Sequence, residues 1–178
     1  MLIAITILAI LASAVIPASS SAGPESIQAA ARILANDLML ARGLAIQHNT
    51  QWSVRFDPTE NSYELVHTGS GSFPVPENAL APPSQSNAGY IIDFDELRLI
   101  SSGNDGVDIA GVALSESGSA VTDIEYGPMG GSGPARSEDT LIVLTRGSGK
   151  NMQTLTVTIS WVTGQAWIGE VGVIGSGS

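Results

Sequence analysis

Leu34-Ala-Asn-Asp-Leu-Met-Leu-Ala-Arg-Gly-Leu-Ala-Ile-Gln-His-Asn49 runs almost directly into Trp52-Ser-Val-Arg-Phe-Asp57, and the spacing of apolar residues changes between them. Before Asn49 the period is about 3.6. Ile27, Ala31, Leu34, Leu38, Ala41 and Ala45 recur at helical spacing and form a stripe fit to face a sheet. Arg32, Asn36, Asp37, Arg42 and Gln47 fall largely off that stripe. The helix is expected from about Glu25 to His48: Pro24 suits its first turn, Glu25 the positive end of its dipole, and Asn49 its stop. After Asn49 the period is 2. Trp52, Val54 and Phe56 alternate with Ser53, Arg55 and Asp57, which predicts a half-buried strand.

Working outward, the turn Asp57-Pro-Thr-Glu-Asn61 and the strand Tyr63-Glu-Leu-Val-His67 complete a β-hairpin. Residues 69–89 form a Gly-, Pro- and Ser-rich loop, long enough to suggest function or mobility. Further strands are expected at Tyr90 to Phe94, Leu97 to Ile100, Val121 to Tyr126, Leu141 to Thr145, Leu155 to Trp161 and Gln165 to Val171. The tight turn Val162-Thr-Gly164 closes the last hairpin. One long amphipathic helix followed by antiparallel strands predicts an α+β architecture.

In the other direction lies Met1-Leu-Ile-Ala-Ile-Thr-Ile-Leu-Ala-Ile-Leu-Ala-Ser-Ala-Val-Ile-Pro17, which contains no charged side chain. As a helix it would span about 25 Å, short of a hydrocarbon core of about 30 Å. Leu2, Ile3, Ile5, Ile7, Leu8, Ile10, Leu11, Val15, Ile16 and Pro17 are the residues assigned to a membrane or assembly helix. A secretory signal peptide competes with this reading, with Ala12-Ser13-Ala14 or Ser20-Ser21-Ala22 as cleavage sites. Against it, the first cation is Arg32, whereas signal peptides open with Lys or Arg. The expected organisation is therefore an apolar helix over 1–17, a break over 18–24, and an extracytoplasmic α+β domain over 25–178.

The chain has 178 residues, 7 Lys plus Arg, 17 Asp plus Glu, a net charge of −10 and no Cys. Disulfides and thiolate metal sites are excluded. The negative charge repels phosphate backbones and anionic lipid, so no nucleic-acid partner is expected. Arg136, Arg146 and Lys150 are the cations available for a basic patch, but Glu138 and Asp139 intervene.

The apolar segment ending at Pro17, the second helix and the β-rich remainder resemble type IV pilins and type II secretion pseudopilins. Leu34 to Asn49 with Val54-Arg-Phe56, Ile124-Glu-Tyr-Gly-Pro-Met-Gly130 and Val162-Thr-Gly-Gln-Ala-Trp-Ile-Gly169 resemble the minor pseudopilins of the GspH/FimT group. The resemblance implies a pilin-like fold and a non-enzymatic minor pseudopilin. Such a subunit is held in the inner membrane by its apolar helix and assembles with other pilin or pseudopilin subunits into a filament serving protein export. Aligned on Pro17, the family's leader glycine and assembly glutamate would precede Met1, so a start further upstream is expected. A DNA- or surface-binding minor pilin is the alternative, and a membrane-anchored β domain unrelated to filaments is a third reading.

Little in the sequence points to catalysis. His48 and His67 are the only histidines, expected in solvent or capping roles, and Ser70, Ser72 and Ser102 sit in or beside glycine-containing loops. Asn104, Asp105 and Asp108, interleaved with Gly103 and Gly106, are a weak calcium candidate, against which a solvated turn is the simpler reading. Asp93, Asp95 and Glu96 are read as the polar side of a strand bend. Trp52 is expected in the core, and Trp161 and Trp167 are expected to pair across the last hairpin. The 69–89 loop and the 127–134 segment are the candidate contacts with neighbouring subunits.

Overall fold

The computed structural model describes residues 23–80, 89–97, 106–133 and 136–173. The apolar segment 1–17, Ser102, Asn104, Asp105 and part of the 69–89 loop lie outside the described residues.

The helix α1 runs Gly23–Gln47, and all six expected stripe residues are fully buried. Four alanines, Ala30, Ala31, Ala41 and Ala45, lie on that face at 0% exposure. Small side chains there let the helix axis approach the strands closely, while Ile27, Leu34 and Leu38 each add about 1.5–3 kcal/mol of burial. Asn49 stops the helix in the left-handed conformation, at φ 49°, where Asn is tolerated better than most residues.

Two antiparallel sheets share one core with α1. The first holds β1 (Trp52–Asp57), β2 (Ser62–His67), β3 (Tyr90–Asp93) and β5 (Asp123–Tyr126), in the order β3-β2-β1-β5. The second has β4 (Val107–Leu114), β6 (Thr140–Arg146), β7 (Gln153–Ile159) and β8 (Ala166–Ile168) in that order, with β9 (Gly172–Val173) also on β7. The β1–β2 hairpin forms as expected, pairing Asp57 with Ser62, and the Asp57 carboxylate accepts hydrogen bonds from the Thr59 and Glu60 amides. Because α1 ends where β1 begins, the C-terminal end of α1 and the 57–61 turn lie at opposite ends of the strands.

Several expectations are corrected. Leu97 follows a turn at 94–96 instead of starting a strand, and residues 98–100 lie outside the described part. The strand expected over Gln165 to Val171 is shortened to Ala166–Ile168. β4 was not expected at all. A bulge between Ile109 and Gly111 shifts its buried positions from Val107 and Ile109 to Val112, which breaks the alternation that would reveal a strand.

Asp37 is the largest correction on the helix. It is only 7% exposed and accepts hydrogen bonds from the hydroxyls of Tyr63 (2.6 Å) and Tyr90 (2.7 Å). These bonds tie α1 to β2 and β3. Asn61 joins the two sheets. Its amide nitrogen donates to Asp95 and to the Val107 carbonyl, each at 2.9 Å, and its amide oxygen accepts from the Ile109 N–H at 2.9 Å. The backbone at Asn61 is left-handed, at φ 47°.

Burial pushes the Asp37 carboxyl above its ordinary value of 3.8, and the two phenol hydrogen bonds pull it part of the way back. With the folded value above the unfolded one, this group's contribution to stability is full below about pH 3.8 and is lost as pH rises through the folded value. In thermal melts spanning that window, Asp37→Asn is expected to remove this part of the decline seen in the wild type. Asn61→Ala is expected to cost about 3 kcal/mol in denaturant unfolding, because it strands buried Val107 and Ile109 backbone groups and keeps an unfavourable φ.

Candidate assembly surface

The C-terminal end of α1 meets two loops. Arg42 lies on the last turns of the helix, and its Nε–H is shared between the carbonyls of Gly130 (3.1 Å) and Thr163 (2.9 Å). This single donor holds the 127–133 loop and the 160–164 turn against the helix. The two loops also touch each other, since the Ser132 amide donates to the Trp161 carbonyl. Gly164, at φ 66°, is required: a Cβ there would lie 2.0 Å from the Gly130 carbonyl oxygen.

Apolar side chains project around this junction. Met129 is 96% exposed and Val162 62%, with Ile46 and Trp161 also exposed. Gly127, Pro128, Met129, Gly131 and Gly133 line, with Gln51, a shallow apolar recess of about 310 Å³. Apolar residues gathered at loops pinned by one arginine thus leave an apolar surface facing solvent.

Next to Arg42 in the last turns of the helix is Gly43, which is exposed; glycine inside a helix costs up to about 1 kcal/mol relative to alanine. A Cβ at Gly43 would meet nothing within 4 Å. Its neighbours one turn away are Met39, Leu40, Ile46 and Gln47.

The other expected residues divide. Trp52 is fully buried in the core as expected. Trp161 and Trp167 do not pair: Trp167 sits opposite Thr158, and Trp161 lies in the turn beyond the ladder. His48 and His67 are neither free in solvent nor caps. Their rings lie 4.5 and 5.2 Å from that of Phe73, and His67 shares a 3.0 Å hydrogen bond with Thr50. The start of the 69–89 loop is thereby packed onto the domain, and Asn78 binds it to the Ile91 carbonyl at 2.6 Å. Of the calcium candidates, Asp108 lies on β4 and not in a turn, its carboxyl raised by burial and then by the charge of Asp95. Among the described residues no group of three or more His, Asp or Glu is arranged to hold a metal. The cations do not form one patch, because Arg136 bonds Thr140 at one end of β6 while Arg146 ends the strand at the other. Sequence periodicity missed Arg42 as an anchor, since the acceptors are backbone carbonyls about 90 and 120 residues away.

Residues 30–164, from the buried stripe of α1 to the glycine of the last turn, match the family described as type II transport protein GspH. The chain belongs to the GspH family. Among solved structures, this GspH-family chain is similar to the type IV minor pilin FimU of Pseudomonas aeruginosa in two crystal forms. The P21 form gives a TM-score of 0.50 at 16% identity, covering 82% of this chain and 89% of that one. The P65 form gives 0.46 at 17% identity, covering 80% and 91%. No curated protein matches the chain. The pilin-like α+β fold and the GspH/FimT resemblance read from the sequence are borne out.

Arg42→Ala is expected to cost about 1–2 kcal/mol and to speed amide hydrogen exchange in both loops, measured by exchange mass spectrometry on the folded protein.

Proposed function

We propose that this GspH-family chain is a minor pseudopilin, a structural subunit of a type II secretion pseudopilus or related type IV pilus-like filament, and that it assists protein export through subunit assembly. Membership of a type II transport family over residues 30–164, from within α1 to the last turn, carries this reading. In it, residues 1–17 hold the chain in the inner membrane and then pack in the filament, with the domain over 25–178 outside the cytoplasm. No helix among the described residues is long and apolar enough to cross a membrane, so the anchoring role rests on the uncharged composition of the first seventeen residues. The preformed apolar surface around Met129 and Val162 supports contact with other pilin-like subunits. The net charge of −10 and the separation of Arg136 from Arg146 weigh against nucleic acid as a partner.

The test is deletion of the gene in its native host, with the chain also followed in filaments sheared from wild-type cells. Reduced export, restored by the full chain and not by one lacking residues 1–17, together with the chain in the filament fraction, is the expected result. Unimpaired export and absence from filaments would leave the anchored β domain as the better reading.

A further inference from the structure

Arg42 anchors two loops through its Nε–H alone. That donor is shared between the Gly130 and Thr163 carbonyls, and among the described residues nothing accepts from either Nη amino group. No described carboxylate pairs with the guanidinium either. Arg55 and Arg136 are matched with Glu64 and Asp123. The carboxylates on the elements around the junction are taken by other donors: Asp37 by Tyr63 and Tyr90, Glu125 by Thr68, and Asp139 by the Trp161 amide. In a chain with 17 acidic and 7 basic residues, this half-buried cation has an unmet demand for an anion.

The guanidinium is also held in place. Its two acceptors belong to different loops, and a Cβ on Gly130 would lie 2.9 Å from Ile46 Cδ1 and 3.3 Å from Arg42 Nη2. The loop backbone is thus pressed against both side chains, so little ordering is left for a partner to impose. Around the fork stand the exposed side chains of Met129, Val162, Ile46 and Trp161. Arginine, methionine and tryptophan are the residues enriched at the centres of protein interfaces.

This combination selects the occupant. A wholly apolar partner would cover the junction and leave a buried, unpaired guanidinium, which is costly. A ligand of many phosphates would meet a chain of net charge −10 with one cation at this junction to receive it. A single carboxylate accepts two parallel hydrogen bonds from the two Nη groups, and apolar neighbours on either side of it would cover Met129 and Val162. We propose that the Arg42 junction is a docking site for a partner protein's segment carrying one carboxylate between apolar side chains. The site stands on its own geometry and does not rest on the filament reading.

The test uses the full chain in its native host. The protein has no cysteine, so Gln47→Cys carries a single benzophenone photocrosslinker beside Ile46, and adducts are mapped by mass spectrometry. Arg42→Gln separates anchoring from charge: its amide nitrogen lies as many bonds from the backbone as the arginine Nε, while the fork and the charge are gone. The expected adduct is a segment with a carboxylate between apolar residues. Arg42→Gln is expected to lower its yield about tenfold while amide exchange in the 127–133 and 160–164 loops stays as in the parent. Changing the mapped carboxylate to its amide is expected to cost the same, with no further loss in the doubly changed pair. No adduct, an adduct on lipid or on a segment without a carboxylate, or a yield indifferent to Arg42→Gln would overturn the site. So would additive losses, or a loss accompanied by released loops, which would make Arg42 an internal anchor alone. An adduct meeting every condition on a protein outside any filament would bear the site out and count against the filament reading.

Discussion

The two sheets are held together across the buried face of α1. Each has its own ladder, and the strand order of one never continues into the other. Ala30, Ala31, Leu34, Leu38, Ala41 and Ala45 give both sheets a common apolar surface, with alanine where the approach is closest. Polar bonds on that seat and beyond it fix the arrangement, Arg136 among them, bridging β5 and β6. Asp37 reaches β2 and β3, Arg42 reaches the loops beyond β5 and β7, and Asn61 links the hairpin turn to β4. The helix thus sets where the loops stand, and the loops carry the exposed apolar residues.

The parts of this arrangement that depend on local periodicity could be read from the sequence. The α1 stripe, the β1–β2 hairpin and the stop at Asn49 are each set by residues within a few positions of one another. What escaped depends on distant partners or on irregularity. Asp37 reads only as a carboxylate off the apolar stripe until Tyr63 and Tyr90 arrive from two strands, 26 and 53 residues later. β4 is hidden by its bulge, whose extra residue moves the buried positions from one phase to the other. Tryptophans at 161 and 167 looked like a cross-strand pair, but the turn takes more residues than the pairing allows.

The candidate surface was less legible than the fold. The 127–134 segment drew notice for its glycines, and part of it does stand at the apolar junction. The 69–89 loop drew notice for its length, yet the structure packs its first residues against Phe73's histidine neighbours. Gly43 gave no signal in the sequence, because one glycine in a long amphipathic pattern reads as a small propensity cost.

The geometry of the Asp37 attachment has a mechanical side. Both phenol hydrogen bonds and the alanine–leucine seat lie alongside the axis of α1 rather than at one end of it. A pull applied at the N-terminal end of the helix would load these contacts in shear, all together, instead of peeling them away in sequence. Contacts loaded in parallel share the force and fail as a unit. The helix is therefore fastened to the domain in the manner of a lap joint, which suits an element through which one end of the molecule is drawn or held.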